Sequence, residues 1–158
     1  MFKRILVAVD GSETANRGLK TAIGLAREQE ALLQVLHVID ERVPALNPEV
    51  GVYVDDMIRL LREGGKKILA TADAQVAKAG VRSQSVSVET MGLPVADVVV
   101  EQAKKFRADL IVLGTHGRRG MSRLVMGSDA EGVVRQSTVP VLLVKAPAAE
   151  PKAKSKSK

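Results

Sequence analysis

The chain contains no cysteine and no tryptophan, and its aromatic residues are Phe2, Tyr53 and Phe106 alone. Without cysteine there is no disulfide framework, no thiol nucleophile and no thiolate zinc site. So few aromatics argue against a stacking platform for single-stranded nucleic acid. The two histidines, His37 and His116, cannot by themselves build a His-rich metal cluster. No apolar run approaches the roughly 20 residues that span a bilayer. The opening "MFKRILVAVDGSE" has an apolar stretch too short for a secretory signal, and it ends in charge. These absences lead us to expect a cytoplasmic protein with no membrane insertion.

Positive charge is present but unevenly placed. The net charge is +6, and Pro147–Lys158 holds four Lys against one Glu, so half the excess sits in the last twelve residues. That distribution favours a solvated tail over a basic face, and we expect no specific nucleic-acid partner. The segment "APAAEPKAKSKSK" is rich in Pro, Ala, Lys and Ser and cannot bury a core. Residues 1–146 are expected to form one domain and residues 147–158 a disordered Lys-rich tail.

Five short apolar runs mark strands, at residues 4–10, 32–40, 82–90, 109–114 and 139–145. The first and fourth are nearly continuous Val, Ile and Leu, as strands covered on both faces should be. The third, "RSQSVSVET", alternates polar and apolar and reads as nearer an edge. Between them, apolar residues recur at three- and four-residue steps over Glu13–Glu28, over Val54–Ala79, from Pro94 to Phe106, and over Asp129–Gln136. Gly64 and Gly65 fall inside the second helical pattern, where each costs about 1 kcal/mol against alanine. Close packing and a kink are the two explanations the sequence offers. Alternating strands and helices of these lengths predict an α/β domain, a doubly wound parallel sheet with helices on both faces. Ligands in such sheets bind beyond the carboxyl ends of the strands, where the winding reverses.

The stretch that follows the fourth strand is "GTHGRRGMSRLVMGSDAE", residues 114–131. Gly114, Gly117 and Gly127 would let backbone N–H groups approach a ligand with no Cβ in the way. The start of the last helix, with Ser128, offers an anion site, and Arg118, Arg119 and Arg123 add charge nearby. No Lys follows Gly127, so the stretch is not a P-loop, and it is not a G-x-G-x-x-G fingerprint either. The competing explanation is local: Ser128 with Glu131 three residues on has the form of a capping box, which needs no ligand.

Gly114-x-x-Gly117, nine residues, then Gly127-Ser128 matches the G-2x-G-9x-G-(S/T) pattern of ATP-binding universal stress proteins. "ILVAVDGSE", "HVID" at 37–40, "GLP" at 92–94, "LIVLGTHGRRG" and "STVPVLLVK" are similar to that family in order and spacing, over roughly residues 1–145. The resemblance implies a Rossmann-like five-stranded parallel sheet in the order 3-2-1-4-5, with Asp10 and Gly114 facing one crevice. It also implies an ATP site. Ala8, Val9 and Asp10 would meet the nucleoside, with Asp10 a ribose or metal-side carboxylate or else a helix cap. Ser12 would reach a phosphate or serve as an N-cap. Val38 would hold adenine or simply fill the core, and Gly92 would sit beside the base or make a turn. Gly114, Gly117, Gly127 and Ser128 would cradle ribose and phosphates, with Arg118 alongside. Asp129 stands where the family commonly has a small or apolar residue, and would either repel a triphosphate or help hold Mg²⁺.

His116 lacks an orienting partner and a nucleophile at any evident spacing, so no catalytic residue is assigned. His37 reads as a hydrogen-bonded, semi-buried strand residue. The last strand, "VPVLLV", is very apolar, yet the family order puts it at the sheet edge, where it must be covered. The resemblance implies a homodimer paired along Val139–Val144. The expectation is therefore an ATP-binding, nucleotide-responsive regulator of a stress response acting on a protein partner, with at most slow hydrolysis. Whether it takes ATP with or without Mg²⁺, ADP, AMP or cyclic AMP stays open. An ATPase or nucleotidyl-transfer enzyme on the same fold, and a nucleotide-free interaction module, are the alternatives.

Overall fold

A computed structural model describes residues 1–42, 54–115 and 126–145. Strand β1 is Arg4–Ala8 and helix α1 is Glu13–Gln29. Strand β2 is Leu32–Ile39, helix α2 is Val54–Lys78 and strand β3 is Ser83–Glu89. Helix α3 is Val95–Phe106 and strand β4 is Leu110–Gly114. Helix α4 is Ser128–Gln136 and strand β5 is Val141–Val144.

The helix ends follow local chemistry. Ser12 sits at the N-cap of α1 and its Oγ accepts a hydrogen bond from the Ala15 N–H at 3.2 Å. α1 stops at Glu30, which turns left-handed at φ 52° and returns its N–H to the Ala26 and Arg27 carbonyls. α3 ends the same way at Arg107, φ 53°. Pro94 holds the N-cap position of α3, one residue before the first helical turn, where its missing N–H leaves nothing unsatisfied.

The five strands form one parallel sheet in the order β3-β2-β1-β4-β5. The expected fold is the observed one. Its winding reverses between β1 and β4, which pair Ile5 with Leu110 and Val7 with Val112. Alternation along the strands divides the core in two. Ile5, Val7, Leu33, Val35, Leu110 and Val112 face α1 and α2. Leu6, Leu36, Ile111 and Leu113 face α3 and α4, together with Val99, Phe106 and Val133. This is why β1 and β4 read as continuous apolar runs: both of their faces are covered. β3 lies at one edge with Ser83, Gln84 and Ser85 exposed, and β5 lies at the other, half-buried throughout. Among the described residues no helix is long and apolar enough to cross a membrane.

Candidate functional site

The carboxyl ends of β1 and β4 lie side by side at the reversal, and the loops that leave them are built from short, directed hydrogen bonds. β1 ends at Ala8, and the Val9 N–H makes one further bond, to the Leu36 carbonyl at 2.8 Å. The chain then turns sharply. Asp10 Oδ1 accepts from the Ser12 N–H at 2.9 Å, and Gly11 takes φ +82°, a conformation a side chain would strain. A Cβ on Gly11 would also come within 3.3 Å of Ile68 on α2. Asp10 and Ser12 therefore both serve the start of α1, Ser12 as its cap and Asp10 as the acceptor that shapes the turn. Neither role removes them from the crevice, since both remain partly exposed.

Gly114 is required for a reason the glycine pattern does not reveal. A Cβ there would stand 2.7 Å from the Thr14 carbonyl carbon, 2.8 Å from the Ala15 nitrogen and 2.9 Å from Thr14 Oγ1. The first turn of α1 thus rests directly on the end of β4. The next residue, Thr115, is buried and bonds in two directions. Its N–H donates to the Val144 carbonyl at 2.9 Å, and its carbonyl accepts from the Gly127 N–H at 2.9 Å. The second bond fixes where α4 begins.

The capping box expected from Ser128 and Glu131 is not formed. Gly127 is the N-cap, so Ser128 already lies within the first turn and no side chain caps the helix at that position. Glu131 points the other way along the helix, its Oε1 accepting from Arg135 Nη2 at 2.6 Å. The Gly127–Thr115 bond places the helix start one residue earlier than the local pattern suggests. Asp129 is in the first turn of α4. Gly117 and Arg118, with His116, Arg119 and Arg123, lie outside the described residues, so the loop's middle is not part of this geometry.

Val38 is half-buried against the α3–α4 side of the core and is in register with Val88. Gly92 follows Met91 in a tight turn where both residues are left-handed, φ 84° and 49°, closed by the Leu93 N–H to the Thr90 carbonyl at 2.9 Å. Space around a Gly92 Cβ is open, so the turn itself explains the glycine. His37 is more buried than expected, at 4% exposure, and its Nδ1 lies 2.8 Å from the Val9 carbonyl.

Two charged groups at this end were not singled out from the sequence. Arg42 grips Asp40 with two bonds, Nε to Oδ1 at 2.8 Å and Nη2 to Oδ2 at 3.0 Å. Those bonds raise the Arg42 pKa above its ordinary value against the opposing effect of burial, and the negative fields of Asp40, Asp129 and Asp97 add to the rise. The first turns of α3 and α4 therefore each bring a negative charge within electrostatic range of Arg42. The spacing Asp40-x-Arg42 was visible in the chain; the approach of Asp97 and Asp129 depends on topology. Beside them, Arg62 binds Glu89 through Nε at 2.5 Å and Nη2 at 3.0 Å. Among the described residues no group of three or more His, Cys, Asp or Glu could hold a metal ion. A hollow of about 250 Å³ lined by Val100, Lys104, Arg107 and Thr138 lies at the amino end of the strands, away from the crevice.

The model of the universal stress protein family matches residues 1–145. The chain belongs to the universal stress protein family. It is 34% identical to the universal stress protein MJ0531 of Methanocaldococcus jannaschii, over 95% of this chain and 86% of that protein. Among solved structures it is similar to MJ0577 of the same organism, with a TM-score of 0.79 and 29% identity over 94% of this chain and 99% of that one. A universal stress protein in complex with cAMP gives a TM-score of 0.64 at 26% identity, covering 91% of this chain and 97% of its own. One from Archaeoglobus fulgidus in complex with dAMP gives 0.66 at 26% identity, covering 90% and 98%.

Proposed function

We propose that this universal stress protein binds an adenine nucleotide, ATP in the first instance, in the crevice between the ends of β1 and β4, and acts as a nucleotide-responsive regulator. The observation that carries the reading is the convergence of two helix N-termini on one point of the sheet. The first turn of α1 abuts Gly114, and α4 starts from a backbone bond to Thr115 with glycine as its cap. Helix starts present N–H donors and positive potential, which suit phosphate. The cAMP and dAMP complexes of relatives with the same fold support an adenine nucleotide as the ligand class. Ala8, Val9, Asp10 and Val38 form the nucleoside end of the proposed site. Ser12, Gly92, Gly114, Gly117, Arg118, Gly127, Ser128 and Asp129 complete it, and Asp129 is the member that tells a Mg²⁺-bound triphosphate from a monophosphate. Hydrolysis, if measured, is slow, because no lysine follows Gly127 as in a P-loop. A homodimer through β5 covers the apolar edge at Val139–Val144, and the soluble form works in the cytoplasm with a protein partner.

Equilibrium binding of labelled ATP with Mg²⁺, together with a thermal-shift panel of ATP, ADP, AMP and cyclic AMP, tests the reading. At a hundredfold excess over Kd the preferred nucleotide should stabilise the fold by about 2.7 kcal/mol. Binding should be lost in Gly117→Val. If no adenine nucleotide binds saturably, the reading fails.

A further inference from the structure

His37 is the one ionisable side chain among the described residues that is buried to this depth. It sits where the β1–β2 ladder stops. The register runs from Arg4–Leu32 to Ala8–Leu36, and one step further the ring of His37, rather than another ladder bond, meets the Val9 carbonyl at 2.8 Å. A carbonyl only accepts, so Nδ1 carries the proton and donates. The other side of the ring lies against α2 at Gly65. A Cβ on Gly65 would stand 2.7 Å from the ring's Cδ2 and 3.0 Å from Nε2. Gly64, its neighbour, has nothing within 4 Å of the same position. The paired glycines therefore have different causes, and only Gly65 is demanded by a side chain 28 residues away in sequence. One turn of α2 further on, Ile68 covers Gly11. The same helix thus backs both His37 and the turn that carries Asp10.

We propose that His37 is a positioning residue of the nucleotide crevice: by holding the Val9 carbonyl it sets where Asp10 presents its carboxylate, and Gly65 is the gap in α2 that admits the ring. The inference rests on the nucleotide reading above. Val9 is the residue immediately before Asp10, and β2 holds it twice, through the Leu36 carbonyl on its N–H and the His37 ring on its carbonyl. Removing the ring's donor releases the Val9 carbonyl, and the Asp10 carboxylate, still tied to the Ser12 N–H, is then presented to the ligand from a shifted main chain.

The test is a double-mutant cycle on the full chain, with AMP and Mg²⁺–ATP as probes in calorimetry. His37→Phe keeps a ring and removes the donor; His37→Asn restores an N–H near the Nδ1 position. Asp10→Asn keeps the acceptor for the Ser12 N–H and removes the charge. His37→Phe should weaken binding about tenfold, the loss seen when an outer partner that orients a binding group is removed. His37→Asn should recover most of it, and in the Asp10→Asn background His37→Phe should cost less than about twofold. Equal losses in both backgrounds, no loss at all, or no recovery with Asn overturns the proposal. Should His37→Phe fail to fold, Gly65→Ala, which pushes the ring off α2, must weaken binding while Gly64→Ala leaves it unchanged; a folded Gly65→Ala with full affinity overturns it equally. Wild-type protein that binds neither probe overturns the nucleotide reading and this inference with it, an outcome distinct from normal wild-type binding with an indifferent His37.

Discussion

Gly18 and Gly114 face each other across the α1–β4 contact, yet adding a methyl group to each should shift stability in opposite directions. At Gly114 the new Cβ meets main-chain atoms of Thr14 and Ala15 at 2.7–2.8 Å, well inside any real carbon contact. Those atoms belong to the first turn of a helix already capped by Ser12, so they cannot move singly; the whole helix start must shift. Overpacking of a close-packed core costs about 1–3 kcal/mol, and with backbone as the obstacle Gly114→Ala should lie at the upper end of that range. At Gly18 the nearest atom, the Gly114 nitrogen, is 3.5 Å away, an ordinary contact. There the change adds apolar contact and removes the conformational entropy of a mid-helix glycine, a gain of about 0.5–1 kcal/mol. The measurement is urea unfolding at one fixed protein concentration, followed by circular dichroism, comparing midpoints at constant slope. Against a total stability of about 5–15 kcal/mol typical of such domains, both shifts are resolvable. If Gly114→Ala unfolds within about 0.5 kcal/mol of the parent, the first glycine of the loop is not architectural and the reasoning fails.

Other outcomes follow from the local chemistry. Ser12→Ala should cost about 1 kcal/mol through the lost N-cap, measured in the same unfolding assay, with Ser12→Gly costing only a few tenths. Glu131→Ala should cost no more than about 0.5 kcal/mol, because it breaks an exposed i,i+4 pair; about 1 kcal/mol or more would restore the capping-box reading. The carboxyls of Glu41 and Glu89 should titrate apart in a carbon-detected NMR titration. Hydrogen bonds from Arg62, and then Glu41, hold Glu89 below its ordinary value, whereas burial, reinforced by Glu89, pushes Glu41 above its own. Glu89's contribution to stability is accordingly present above its unfolded pKa and lost as pH falls through the lower folded one. Glu41 does the reverse: its protonated form favours the fold, and that contribution is lost as pH rises through the raised value. Arg62→Gln should bring the two titrations together, and an unchanged separation would exclude Arg62 as the cause.

The sheet was legible because its determinants are local. β1 and β4 announce two covered faces in five consecutive residues each, and β3 announces an edge through alternating serines. The glycine spacing pointed to the carboxyl end of β4, where Gly114 and Gly127 lie, for the same reason: it is written within one loop. What escaped was set by residues distant in sequence. The capping box at Ser128–Glu131 satisfies every local rule and still loses to a single bond from Gly127 to Thr115. Gly65 could not be explained without knowing that His37 lies beneath it, and Gly114 could not without Thr14 and Ala15. Asp129 looked like a lone departure from a family pattern, whereas its field falls on Arg42 along with that of Asp97. In each case the missing datum was a neighbour rather than a propensity.

Thr115 joins the last strand to the last helix through its own N–H and carbonyl, with no side chain taking part in either bond. Exchanging the threonine for serine or valine leaves both of these main-chain links in place, and only proline, at 115 or at 127, could cut one by deleting its N–H. The spacing between the sheet's apolar margin and the mouth of the crevice is thus inherited from the polypeptide itself. Both links of this pin are made of main chain, so neither depends on the identity of the side chain at 115.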